Sequence, residues 1–243
     1  LVAFLGLAAP MVDAEADVTV PSVFSDHMVL QRDLPVPIWG TADPGESISI
    51  TFGSQSRSAR AGADGRWRVD LDPMAASTKP RELRITGDNE IRIDDVLVGE
   101  VWICGGQSNM EWKIDESEDP DRERAGADRP TLRVINAPRV TSNVMRDDIA
   151  AEWIICTPET VGGFTAVGYA FGRELQDALD VPVGLLSINW GGTRIEPWIS
   201  TRSRLASDVS RDRMRDMVAE RRTFESMSEA ERFDRDQLRR NEH

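Results

Sequence analysis

The run Val96-Leu97-Val98-Gly99-Glu100-Val101-Trp102-Ile103-Cys104 limits what this chain can fold into more than any other segment. It is nearly continuous in apolar residues and is stopped by Gly105-Gly106. A strand that is apolar towards both sides has to be covered on both sides, which is the situation of a strand inside an α/β sheet. Leu132-Arg133-Val134-Ile135 reads as a second strand and Val183 to Ile188 as a third. Between them Val167, Ala170, Phe171, Leu175, Ala178 and Leu179 recur at helical spacing. Strand, helix, strand is the grammar of a doubly wound α/β domain, whose sites lie at the carboxyl ends of the strands.

Upstream the pattern is different. From Val18 to about Asp95 apolar residues alternate with period two, with Ile48, Ile50 and Phe52 on one face and Trp67, Val69 and Leu71 on another. Turn signals at Asp43-Pro44-Gly45, Asp64-Gly65 and Gly87-Asp88-Asn89 separate the runs. This predicts a small all-β, sandwich-like domain over residues 17–95, followed from residue 96 to 243 by the α/β domain. From Thr201 to His243 the chain turns polar and charged, with only Met214, Met217 and Val218 as an apolar stripe, and reads as solvent-exposed helix. No further buried strand follows, so the α/β domain reads as incomplete at its C-terminal side.

Charge excludes one class of partner. With 42 acidic against 29 basic residues the net charge is −13, which repels a nucleic-acid phosphate backbone. Residues 1–16, LVAFLGLAAPMVDAEA, form an apolar run ending in the small-x-small pattern Ala14-Glu15-Ala16, the expected remnant of a signal peptide. The reading is therefore a secreted or periplasmic protein, with no segment near the roughly 20 apolar residues of an integral membrane helix. Export makes a Cys104–Cys156 disulfide chemically feasible, and two separate buried thiols fit the apolar surroundings equally well.

The chemistry concentrates in GGQSNMEW, Gly105 to Trp112, directly after the buried strand. A serine there is exposed at the top of a sheet, where the backbone amides of the following turn can meet negative charge on a carbonyl oxygen. Taken by itself, the same string also makes an ordinary turn. Two histidines and two cysteines at unrelated positions form no ligand set, and GGQSNM lacks the lysine and spacing of a phosphate-binding loop, so no metal and no cofactor are expected.

Four blocks carry a family resemblance: VFSDHMVLQR (Val23 to Arg32), VLVGEVWICGGQSNMEW (Val96 to Trp112), GFTAVGYAFGRELQ (Gly163 to Gln176) and INWGGTRIEPWIS (Ile188 to Ser200). In this order they resemble the sialate O-acetylesterase family, which is similar to SGNH hydrolases. The resemblance implies a flavodoxin-like α/β domain that removes acetyl groups from O-acetylated saccharides. It further implies Ser108 as the nucleophile, with the backbone N–H groups of Ser108 and of Gly191 or Gly192 facing the developing oxyanion. Gln107 and Asn109 flank the nucleophile, to hold its loop or touch sugar. Arg194, Glu196 and Trp198 are candidate substrate contacts, or else a surface turn with a core tryptophan.

A serine hydroxyl needs a base, and the two histidines do not fit that role. His27 sits in the SDHM block, where a structural role is expected, and His243 is the final residue. The family's DxxH segment, which supplies aspartate and histidine, is not found, so the chain reads as the N-terminal portion of an esterase, inactive by itself. Two other readings remain open: an acetylxylan or other polysaccharide deacetylase, and a non-catalytic carbohydrate-binding or structural module.

Overall fold

The computed structural model describes residues 17–142, 145–228 and 231. The run read as a signal peptide and His243 lie outside these residues, as do the side chains of Met214 and Met217. Seven strands come first: β1 (Val29–Gln31), β2 (Val36–Thr41), β3 (Ser47–Phe52), β4 (Gln55–Arg60), β5 (Arg66–Leu71), β6 (Ser77–Thr86) and β7 (Glu90–Gly106). Period-two alternation sets their faces. In β3 Ile48, Ile50 and Phe52 are buried while Ser47, Ser49 and Thr51 are exposed, and in β5 Trp67, Val69 and Leu71 point inward. β2 and β5 pair antiparallel as a two-stranded sheet, and their apolar residues share one core with those of β3, β6 and the first half of β7.

Then follow helix α1 (Ser108–Glu111), α2 (Pro120–Ala125), β8 (Arg129–Asn136), β9 (Trp153–Cys156), α3 (Ala166–Leu179) and β10 (Val183–Asn189). The larger sheet runs β4-β3-β6-β7-β10-β8-β9, with β1 also paired to β7. β7 joins its two halves. Its first part is antiparallel to β6, Leu97 to Gly99 are parallel to β1, and Glu100 to Gly106 are parallel to β10. The position read as a domain boundary, between Asp95 and Val96, therefore falls inside a strand. Val96, Val98, Ile135 and Trp153 also belong to the first core, and Trp153 donates its indole N–H to the carbonyl of Val23 at 2.9 Å. The described residues up to Gly192 form one compact unit.

β10 is hydrogen-bonded on both sides, to β7 and to β8, so the parallel strands run β7-β10-β8. A flavodoxin-like sheet places its first strand between its second and third. Here the third lies in the middle, and the described strands form a mixed α/β sheet that departs from the expected order.

A second core gathers Cys104, Leu132, Val134, Cys156, Phe164, Tyr169, Val183 and Leu185 beneath α3. Thr165 caps this helix by accepting the N–H of Gly168 at 3.2 Å, and Asp180, at φ 51°, ends it just before Pro182. The helix forms where its spacing predicts, but the face it buries is Gly168, Tyr169 and Gly172. Val167, Phe171 and Leu179, all in the predicted apolar stripe, are exposed. The cause is close approach: a Cβ at Gly172 would stand 2.9 Å from a Leu185 methyl, and one at Gly168 2.9 Å from the Cys104 sulfur. Glycines carry no hydrophobic signal, yet they let the helix backbone descend onto the sheet.

Asp95 and His27 both take positive φ, 56° and 68°. Nδ1 of His27 lies 2.7 Å from Oδ2 of Asp95, and the buried Arg133 reaches the same carboxylate oxygen at 2.9 Å. Arg133 also donates to the carbonyl of His27 at 2.8 Å. Burial lowers the pKa of Arg133 while Asp95 works against that, as a sealed charge requires a partner. Cys104 and Cys156 are free thiols, both buried. Burial pushes Cys156 up to about 12 and raises Cys104 as well, so both are poor nucleophiles.

The described residues from Thr193 onward form a second unit. It holds a 3-10 turn at Glu196–Trp198, α4 (Thr201–Ala206) and α5 (Asp208–Ser226), whose described positions are mostly exposed. Among the described residues no helix is long and apolar enough to cross a membrane.

Candidate active site

β7 ends at Gly106, whose φ of 153° is unusual for a residue with a side chain; a Cβ there would stand 3.2 Å from Cβ of Met110. The chain can thus turn sharply from strand to helix, and Ser108 comes first in α1, exposed to solvent. The carbonyl of Gln107 accepts the N–H groups of Met110 and Glu111, both at 2.9 Å. The N–H groups of Ser108 and Asn109, at the start of the turn, have no intrahelical acceptor. Side chains of Gln107 and Asn109 are exposed and make no hydrogen bond among the described residues, so backbone rather than side chain holds this loop.

Neighbours fix the turn from two directions. Ala166 donates to the carbonyl of Trp112 at 2.7 Å and Ile114 to that of Phe164 at 3.0 Å, tying it to the start of α3. On the other side Asn189 lies in register with Gly106, and Trp190 donates to the Gly106 carbonyl at 3.0 Å. β7 and β10 therefore end level, and their following loops meet. A Cβ on Gly191 would stand 3.5 Å from Cα of Ser108 and against Oε2 of Glu111. The N–H of Gly191 donates to Glu111, whose carboxylate also pairs with Arg139. Gly192 has φ 74° and open space where a Cβ would be.

Beside this junction a cleft of about 180 Å³ is lined by Glu111, Lys113, Asn136, Arg139, Ser187 and Asn189, among others. Asn189 donates to the Ser187 hydroxyl at 2.8 Å on its floor.

The structure brings Ser108 and Gly191 together. It places Arg194, Glu196 and Trp198 in the second unit, where Glu196 pairs with Arg213 at 2.9 Å and the exposed Trp198 donates to Thr193 at 2.9 Å. His27 stands at the far end of β7: the eleven steps from Asp95 to Gly106 cover about 35 Å at strand spacing. It cannot reach Ser108. Sequence reasoning missed Glu111 and Arg139. Glu111 was detectable, since it lies three residues after Ser108, whereas nothing local marks Arg139.

No protein-family model matches the chain. Human sialate O-acetylesterase is 33% identical over 232 residues, 84% of this chain and 44% of the human protein. The mouse sialate O-acetylesterase is 30% identical over 212 residues, 79% of this chain and 39% of that protein. Over most of its length the chain is a homologue of the sialate O-acetylesterases. A solved structure agrees: a carbohydrate acetylesterase from Xanthomonas citri superposes with a TM-score of 0.75 at 38% identity, over 80% of this chain and 45% of that one. This sialate O-acetylesterase homologue thus spans less than half the length of the relatives it matches.

Proposed function

We propose that this chain carries the nucleophile of an exported serine esterase that removes O-acetyl groups from saccharides. The observation behind the reading is the placement of Ser108, exposed on a strand-to-helix elbow with the Gly191 loop against its backbone. In this reading the Ser108 oxygen bonds to the acetyl carbon while its proton passes to a base. The bond from that carbon to the sugar oxygen then breaks, and the base returns the proton to the sugar hydroxyl. Water, deprotonated by the same base, releases acetate and restores Ser108. Backbone N–H groups at Ser108 and in the Gly191-Gly192 loop meet the charge on the carbonyl oxygen in both steps.

The base is not among the described residues, because His27 is too distant. The reading assigns it to a part of a longer protein that these 243 residues do not include, consistent with the greater length of the relatives. Hydrolysis of p-nitrophenyl acetate and of O-acetylated sialate and xylan by protein from the complete gene tests the reading. Turnover that survives Ser108→Ala would defeat it, and the preferred substrate reports the sugar class.

A further inference from the structure

Glu111 lies three residues after Ser108 in the single turn of α1, a spacing that puts both side chains on one side of that turn. Its carboxylate is largely buried and serves two other segments: Oε2 accepts the N–H of Gly191 and Oε1 pairs with Arg139, from the loop after β8. Hydrogen bonds to an ionised acceptor are stronger than neutral ones. Three segments therefore meet at one carboxylate. Among the described residues none of its hydrogen bonds goes to the Ser108 hydroxyl; its two oxygens are taken by Gly191 and Arg139.

A Cβ on Gly191 would press on the Glu111 carboxylate while lying in contact with Ser108, so the loop is seated between the two. Whatever moves the Glu111 carboxylate therefore moves the glycine loop relative to the nucleophile. The same bond commits the Gly191 N–H, while the N–H of Gly192 has no acceptor among the described residues. The geometry points to Glu111 as the residue that positions the glycine loop against Ser108, with Arg139 holding its carboxylate, so that Gly192 rather than Gly191 presents the loop's N–H to the oxyanion. The inference rests on the serine-esterase reading and assigns Glu111 a positioning role within it.

Displacing a catalytic group by 1 Å costs about 100-fold, as does losing an oxyanion donor. In protein from the complete gene, Glu111→Ala should lower kcat for an acetyl ester by about 100-fold and leave KM within about 3-fold, because the loss is confined to the transition state. Glu111→Gln keeps an acceptor for Gly191 without the charge, and should recover about one tenth of the wild-type kcat. A merely structural role would lower the folded fraction and leave kcat per folded molecule at the wild-type value, so kcat is referred to folded protein. An independent readout uses the same protein from the complete gene: by NMR the Gly191 amide proton should shift upfield in Glu111→Gln, and the Gly192 amide proton should move much less. Wild-type kcat in Glu111→Ala, or an unmoved Gly191 resonance, overturns the inference. If Glu111→Ala does not fold, Glu111→Gln and the resonance decide. Ser108→Ala, run alongside, separates the two failures: turnover that persists without Ser108 defeats the esterase reading, while the Gly191 shift still judges the Glu111 contact.

Discussion

The two ends of β7 each carry a carboxylate, an arginine and a backbone that departs from regular strand, and they do opposite things. At the start, Asp95 binds the buried Arg133 and the ring of His27. Past the other end, Glu111 binds Arg139 and the Gly191 amide beside an exposed serine. By composition the first cluster resembles a catalytic dyad, since it contains the paired histidine and aspartate. Its place in the fold says otherwise: Arg133 uses that carboxylate to stay paired in a sealed site, and Ser108, the proposed nucleophile, follows about 35 Å further along β7. Which residues sit together matters less than what they sit next to.

The contrast can be broken by substitution. Ser108→Ala should lower esterase turnover of the protein from the complete gene by at least about 1,000-fold and leave its unfolding midpoint unchanged. Asp95→Ala should do the reverse. It leaves Arg133 buried without its partner, at about 3–5 kcal/mol in urea unfolding, while the molecules that fold retain their specific activity. Loss of turnover in Asp95→Ala at full folding would make the two ends functionally one.

The same comparison extends to α3, where Val167, Phe171 and Leu179 of the apolar pattern are exposed while Leu175 packs against the core. Tyr169→Ala should cost about 3–5 kcal/mol, the range for large buried aromatic residues. Gly191→Ala crowds the movable end of Glu111, so folding should survive while kcat falls by about 10-fold to 100-fold, read in steady-state assays. The smallest effect belongs to Phe171→Ala. That ring meets Trp102 in a T-shaped contact, at 5.2 Å between centroids, and loss of the pair should cost about 0.5–1.5 kcal/mol by thermal unfolding. A Phe171 effect larger than that of Tyr169 would restore the face that hydrophobic periodicity predicts.

What could be read in advance was whatever a short segment determines. The alternation in β3 and β5 and the elbow at Gly105-Gly106 are each specified within a few residues, and the structure has them where the pattern puts them; the apolar run of β7 forms its strand but is buried continuously only from Val96 to Gly99, with Trp102 and Ile103 exposed. The docking face of α3 was not legible, because its contact depends on two glycines fitting the sheet. Nor was the position of β10 between β7 and β8, a pairing made across more than 45 residues of chain. Arg133 lies inside an apolar run that reads as strand, yet its partners, His27 and Asp95, come from far upstream. Arg139 joins the candidate site in the same non-local way.

Leu97, Val98 and Gly99 form the middle of β7, bordered on one edge by β1 and on the other by the start of β6. Met28 accepts the N–H of Leu97 at 3.0 Å, and Gly99 accepts that of Arg32 at 2.8 Å. The Leu97 amide proton is held by the carbonyl of Met28, so it exchanges with solvent when β1 opens from β7, whatever happens on the β6 side. The stretch where composition changes from one architecture to another is then a weld whose β1 seam can be timed at a single amide.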